Sequence, residues 1–566
     1  MVIIMEPVVL KVDGKKCAMS NGLIYIAFKE DASVESLIKN GTELIRDLDG
    51  TSTDSNAKRT FYVDYHAECK FHRFFASRLD VLEDTPDTAH IAYTDTRGML
   101  YLEYHIILKK GESGIYTYLV AANNTDSEIY LAELRTVYRF GNKIFDHACT
   151  TERIGLQPSH KYMEQFEKLQ DETFRLPDGE KYTNGSVYSK YDYAGYFSKN
   201  PAWGHYGHGF GFFVIPVSTE YYPTGPMKQE LLVHYDGIVL NYFTGAHFGT
   251  GSYNVPVGWR KFYGPFFCYI NAGDNGELLY KDALNKAEEE QKKWPYAWVK
   301  HELYPLERSS VSGVIKLSDG RACRGATVVL SAPGVNYEGE KGGYIFYTKT
   351  DEQGRFTLRS VRRGSYALYA YSTCENTTET LELDGIDVYA PEIELGELVI
   401  RLSDKKKLWQ LGRSTHTCEG YKYAGELRNY KWSEMTPANL TFYIGKSIEA
   451  EDWYYAQVKQ GIWSISFNLD KKLNGTAYLT VALAAISKRD MTQKEEPYFT
   501  ISVNGVLIKE LTYMNDSSIY RSATLSGRYR KAVIPFSADL LKEGENLVSF
   551  FNDNCTIMYD TVLLEI

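Results

Sequence analysis

The chain has 566 residues, more than one hydrophobic core supports, and at roughly 100–200 residues per domain it should divide into three units. Its formal net charge of −10 speaks against nucleic acid or an anionic membrane as partner, so an acidic ligand would have to be met by a local cluster of basic residues. The composition, with 46 tyrosines, 45 glycines and many β-branched residues between turn formers, is that of an all-β globular protein.

The start, MVIIMEPVVLKVDG, lacks a basic segment followed by a long apolar one, and no later run is long enough to span a membrane. The expected location is the cytoplasm, or a secreted or periplasmic one if a signal segment has been removed. From residue 8 to about 140 the chain reads as strands joined by hairpins: VVLKVDGKKCAMSNGLIYIAF, RTFYVDYHAE, AHIAYTDTRGMLYLEYHIILKK and GIYTYLVAANN. These predict a large antiparallel sandwich. The segment IYLAELRTVYRFG adds Arg135 and Arg139, four residues apart and therefore on one face of a strand.

Between Lys190 and His247 glycines alternate with a lysine, histidines, tyrosines and a tryptophan, too polar for plain core and too aromatic for plain loop. Aromatic rings that cover sugar faces beside a few placed polar groups make up a carbohydrate cleft, and this stretch has that composition. His205 and His208 in WGHYGHG suggest a metal, yet no third ligand flanks them, and the expectation is no metal site. A subsite wall in which Trp203, His205 and Tyr206 line the sugar is the preferred reading, with core packing as its competitor.

Residues 275–294, NGELLYKDALNKAEEEQKKW, predict one helix with Leu278, Leu279, Ala283, Leu284 and Ala287 on its apolar stripe, ended by Trp294-Pro295. New short strands from SSVSGVIKLSDGR to about Leu402 predict a small immunoglobulin-like sandwich. From Trp409 the aromatic segments NYKWSEM, NLTFYIGKS, EDWYYAQV, GIWSISFNLD and IMYDTVLLEI predict a jelly roll. Trp453, Tyr454 and Tyr455 could offer a sugar platform, but a structural role is preferred. The eight cysteines are scattered without C-x-x-C spacing and are expected as free thiols.

Taken in order, GPMKQELLVH, NYFTGAHF, VGWRKFYGPFFCYIN, KKWPYAWV, SGVIKLSDGR, LWQLG, NLTFYIGKS with EDWYYAQV, and MYDTVLLEI resemble polysaccharide lyase family 4, the rhamnogalacturonan lyases, over nearly the whole chain. The resemblance implies a catalytic mutarotase-like β-sandwich over 1–300, a fibronectin III-like domain over 308–402 and a carbohydrate-binding jelly roll over 403–566. It also implies a lyase that cleaves rhamnogalacturonan I by β-elimination and needs no cofactor for catalysis. A structural calcium ion remains compatible with the sequence, although no D-x-D-x-D run declares it. Rhamnogalacturonan I polymer or oligosaccharides are the expected partners of a monomeric protein.

Elimination in a uronate chain needs a cation on the carboxylate, a base for the C5 proton and an acid for the departing oxygen. Matched residue by residue, the family implies Arg135 and Arg139 as the carboxylate clamp, Lys190 in YSKYDY as base, His247 as acid and Tyr242 as a substrate contact. The bland alternatives are a solvated sheet face with Arg135 paired to Glu133, an ordinary surface lysine, a loop histidine and a packing tyrosine. A lysine base must have its amine depressed by desolvation or by nearby cations. A glycoside hydrolase would need two opposed carboxyls, for which Asp192, Glu230 and Asp236 are available without a marked pair. A non-catalytic glycan binder or a mutarotase-like isomerase on the same scaffold is the other alternative.

Overall fold

Period-2 alternation accounts for most of the architecture in the computed structural model, which describes residues 5–45, 59–141, 144–183, 185–245, 247–426 and 434–566. The segment NYKWSEM lies largely outside the described residues. Contacts divide the chain into two compact units: Met1–Gly245 with Ser252–Leu306 and Lys341–Ile345, and Ala246–Gly251 with Glu307–Glu340 and Phe346–Ile566.

The first unit is a β-sandwich. A nine-stranded sheet runs through Trp203–Gly207, Phe210–Pro216, Arg260–Ala272, Gly114–Ala122, Tyr101–Lys109 and Thr88–Asp95. Neighbouring residues on these strands enter different cores: Phe212, Leu119 and Ile106 join the large one, Phe213, Val120 and Ile107 a second. That second core is closed by the helix Gly276–Lys293, so the sheet is apolar on both faces and its strands read as nearly continuous hydrophobic runs. Asn275 caps this helix by accepting the Leu278 N–H at 3.1 Å. Its buried stripe is Leu279, Tyr280, Ala283, Ala287 and Glu290. Leu278, expected on the stripe, is 61% exposed, because a residue one position off turns about 100° away from it.

A six-stranded sheet completes the sandwich; it contains Phe61–Ala67, Ile129–Arg139 and Ile238–Thr244, with Ile129–Arg139 between the other two. Phe61, Val63, Tyr65, Leu134, Tyr138, Val239 and Phe243 point into the large core. The intervening residues Tyr62, Asp64, Arg135, Arg139 and Tyr242 therefore share the opposite face.

The second unit holds two further sandwiches. The three-stranded sheet around Arg308–Leu317 and the four-stranded sheet around Thr327–Ser331 and Gly364–Tyr371 form the fibronectin III-like one. Sheets of four and five strands around Thr476–Lys488, Cys555–Glu565, Gly461–Leu469 and Gly544–Asn552 form the jelly roll. Trp453 and Tyr455 belong to its core, Trp453 edge-on to Trp463 at 4.9 Å, in keeping with a structural role. None of the eight cysteines is in a disulfide, and no described helix is long and apolar enough to cross a membrane.

Candidate functional site

On the polar face of the six-stranded sheet Arg135 is held from three sides. Its Nε donates to Asp64 Oδ1 at 2.7 Å, one Nη to Asp64 Oδ2 at 3.2 Å, and the other to the Tyr242 hydroxyl at 2.5 Å. Strand register brings these residues together, since Arg135 lies opposite Asp64 on one neighbouring strand and Tyr242 on the other. Glu133 lies 3.5 Å from the same guanidinium. Burial works against the charge of Arg135, but Tyr242, Asp64 and Glu133 outweigh it and hold the group firmly protonated. Arg139 follows along the strand and donates to the Tyr62 hydroxyl at 3.0 Å. The result is two guanidiniums on one face, the first of which cannot swing and has Asp64 and Glu133 as its counterions, the pairing to Glu133 that the bland reading named.

Lys190 opens the short 3-10 turn Lys190–Tyr193, which Ser189 caps by accepting the Tyr191 N–H. Its amine donates to Glu172 at 2.8 Å and Asp171 at 3.1 Å, and its side chain is 12% exposed. Glu172 also accepts from His234 Nε2 at 3.1 Å and from the Tyr235 hydroxyl at 3.4 Å. Burial opposes its charge, yet His234 and Lys190 keep its carboxyl well below the usual carboxylate range. The strand Ala194–Tyr196 then pairs with Gln229–Leu231, which sets Gly195 opposite Glu230 and ties the lysine turn to a second polar cluster.

That cluster contains a lysine sealed from solvent: Lys228 and Glu230 are both 0% exposed, 3.4 Å apart. Burial depresses the Lys228 amine, against the pull of Glu230 and Glu133. Glu230 also explains a glycine, for a Cβ on Gly245 would stand 2.5 Å from its Oε2. His247 is 5% exposed and lies in the short segment Ala246–Gly251, which is part of the second unit; there the Gly249 N–H donates to the Asp516 carbonyl at 3.0 Å.

Three expectations about the sugar wall are corrected. Trp203 is 0% exposed in the large core, its indole N–H spent on the Leu240 carbonyl at 2.8 Å, and offers no face to a sugar. His205 is equally buried and stacks on Phe145 at 4.1 Å, where burial holds its imidazole neutral. Tyr206 is also unsuited to stacking, with one contact to His147 at 4.8 Å and the helix start so close that only glycine fits at Gly276. The alternation of glycine with aromatic residues, read as cleft, here lets a strand pack closely on both sides. Asp64, Asp171, Glu172 and His234 were not singled out from sequence, and Asp64 stands 71 positions from its arginine.

The descriptions "Polysaccharide lyase family 4, domain II" and "domain III" match residues 309–390 and 407–564. The chain is 39% identical over 557 residues to a Dickeya dadantii protein named rhamnogalacturonate lyase, covering 98% of this chain and 94% of that one. It is 24% identical to an Aspergillus flavus protein named probable rhamnogalacturonate lyase B, with coverage of 98% and 94%. Rhamnogalacturonate lyase B of Emericella nidulans is 26% identical, over 81% of this chain and 78% of that one.

Proposed function

Because the chain belongs to polysaccharide lyase family 4, we propose that it is a rhamnogalacturonan lyase that breaks the rhamnose-(α1,4)-galacturonate bond of the rhamnogalacturonan I backbone by β-elimination. The similarity along nearly the full length of both chains carries the reaction class. In the proposed mechanism Arg135, with Arg139 beside it, receives the galacturonate carboxylate and spreads the charge that develops when C5 loses its proton. Lys190 takes that proton, the electron pair forms the C4=C5 double bond, and the bond from C4 to the glycosidic oxygen breaks. His247 protonates the oxygen as it leaves.

Lys228 is the competing base, since burial depresses its amine. A base must touch C5, however, and Lys228 is sealed in the interior whereas Lys190 keeps 12% of its side chain at the surface. Lys190 is therefore assigned the proton transfer on access; Asp171 and Glu172 fix the direction of its amine, although they are carboxylates and not the nearby cations that a lysine base calls for. The assignment is tested with defined rhamnogalacturonan I oligosaccharides, following the ultraviolet absorbance of the unsaturated uronate and the product masses. Lys190→Ala and His247→Ala should each lower turnover by roughly 10²–10⁴-fold. The double variant should be little worse than either single one, since residues serving one transition state are not additive. Nearly full elimination by Lys190→Ala removes it from the mechanism, and cleavage without absorbance identifies a hydrolase.

A further inference from the structure

Within the second unit, strands of the fibronectin III-like and jelly-roll domains enclose a cavity of about 540 Å³. This lies within the range of small-ligand pockets, about 300–1,000 Å³. Its floor is buried and its rim open: His416 is 4% exposed, whereas Met514 at the mouth is 69% exposed. The floor is an aromatic stack in which His416 lies between Tyr371 at 3.9 Å and Tyr529 at 3.6 Å. Burial, with Lys531 nearby, pushes the imidazole down to about 3, so it is neutral at physiological pH. The loop that carries it is anchored to Asp560, which accepts the Thr415 N–H at 2.9 Å.

The lining carries three cations, Arg528, Arg530 and Lys531, against two carboxyls, Glu338 and the exposed Glu382, and Asp516 also acts on Arg530. Arg528 and Arg530 both line it, and among the described residues neither guanidinium forms an ion pair with a carboxylate. The Arg528 Nε and the His416 Nδ1 are buried without a hydrogen-bond partner. Burial, together with the like charge of Arg528, lowers the affinity of Arg530 for its proton. Glu338, in the lining, lies 3.9 Å from His416, but burial holds it up to about 7 against the pull of the two arginines. It is therefore an incomplete counterion. Two cations kept side by side, with unsatisfied buried donors beside aromatic walls, are costly unless an anionic ligand completes them.

We propose that this cavity, lined by none of the residues assigned to elimination, is a second carbohydrate site, which takes a uronate-bearing oligosaccharide with its carboxylate between Arg528 and Arg530 and its sugar ring against Tyr513 and Tyr529, the lining tyrosines that keep part of their surface exposed. A guanidinium pair suits a planar carboxylate, and aromatic walls suit a pyranose face; a small inorganic anion would use only the first. The choice of a uronate rests on the reading of the substrate as a galacturonate-containing chain. The site would hold the acidic polymer, or the released product, on the same molecule that cuts it.

The test is calorimetric titration of the full chain with digalacturonate, which lacks the rhamnose-galacturonate bond and so is not cut by the proposed reaction. The wild type should show a binding event that Arg530→Gln weakens at least tenfold and that Arg135→Lys leaves in place. The dimethyl ester of digalacturonate should bind at least tenfold more weakly, and inorganic sulfate should not compete. Binding that is the same in Arg530→Gln, or equal for acid and ester, overturns the proposal; so does competition by sulfate, which would mark a general anion site. A crystal soaked with digalacturonate decides independently of any variant: sugar in the cavity supports the site, and sugar elsewhere alone overturns it. Failure of the wild type to cleave rhamnogalacturonan I oligosaccharides would instead sink the lyase reading, whatever the titration gives.

Discussion

Arg135 is fixed more tightly than a surface cation, and the consequence is measurable. Its planar fork holds both oxygens of Asp64 while a further nitrogen reaches Tyr242. A lysine keeps the charge but cannot reproduce three directed bonds. Arg135→Lys should therefore lose roughly 100-fold in kcat/KM, as expected for removal of an oriented donor, read as the initial rise in ultraviolet absorbance on oligosaccharide. A near-normal rate would make Arg135 a structural partner of Asp64 only. Lys228 calls for a different measurement, because its role in the buried pair with Glu230 is one of charge balance. Lys228→Met takes away the cation beside a buried carboxylate and should cost about 3–5 kcal/mol, seen as a lowered unfolding temperature. Lys228→Met with Glu230→Gln should recover much of that loss, and equal melting of the single and double variants would show that the charges do not set the cost.

At the scale of elements, the strand Cys555–Glu565 shows how a buried acid ties a loop to a sheet. Asp560 accepts from Thr415, and burial pushes its carboxyl up to about 8 despite hydrogen bonds from Thr415 and the N–H groups of Thr417 and His416. In the unfolded chain it titrates near 3.8. Between those two values the native state holds a proton that the unfolded state has released, so this group makes stability fall as pH rises. Asparagine removes the titration. The unfolding temperature of Asp560→Asn relative to wild type should thus climb steadily from pH 4 to pH 8, and a constant difference across that window would contradict the shift.

At the scale of the molecule, the compact units do not follow the chain as simple consecutive blocks. The first unit ends at Leu306 but takes back Lys341–Ile345, which lie beside the last long strand of its nine-stranded sheet. The Trp259 indole donates to the Gly342 carbonyl at 2.9 Å, the Tyr344 hydroxyl accepts the Phe262 N–H at 3.1 Å, and the Ile345 N–H reaches the Glu220 carbonyl at 2.8 Å. His247 conversely belongs with the second unit. A fragment ending at Leu306 should therefore melt well below the first transition of the full chain, by circular dichroism, and should lose activity beyond what its folded fraction explains. A fragment with full stability and full activity would show that neither exchange matters.

Much of this protein is written locally. Alternation at period two sets the strands and decides that Arg135 and Arg139 share a face, the 3.6-residue period sets the helix Gly276–Lys293, and ordered motifs along the chain identify its family. These features depend on residues within a few positions of one another, which is why they survive in a single sequence. The partner of Arg135, the burial of Trp203 and His205, the sealing of Lys228 and the arginine-lined cavity depend instead on strand order and register. Those bring together residues such as Asp64 and Arg135, or Glu338 and His416, that are far apart in the chain. A glycine-aromatic run reads alike whether its rings face a sugar or a second layer of protein; only the packing of sheet against sheet and helix decides which.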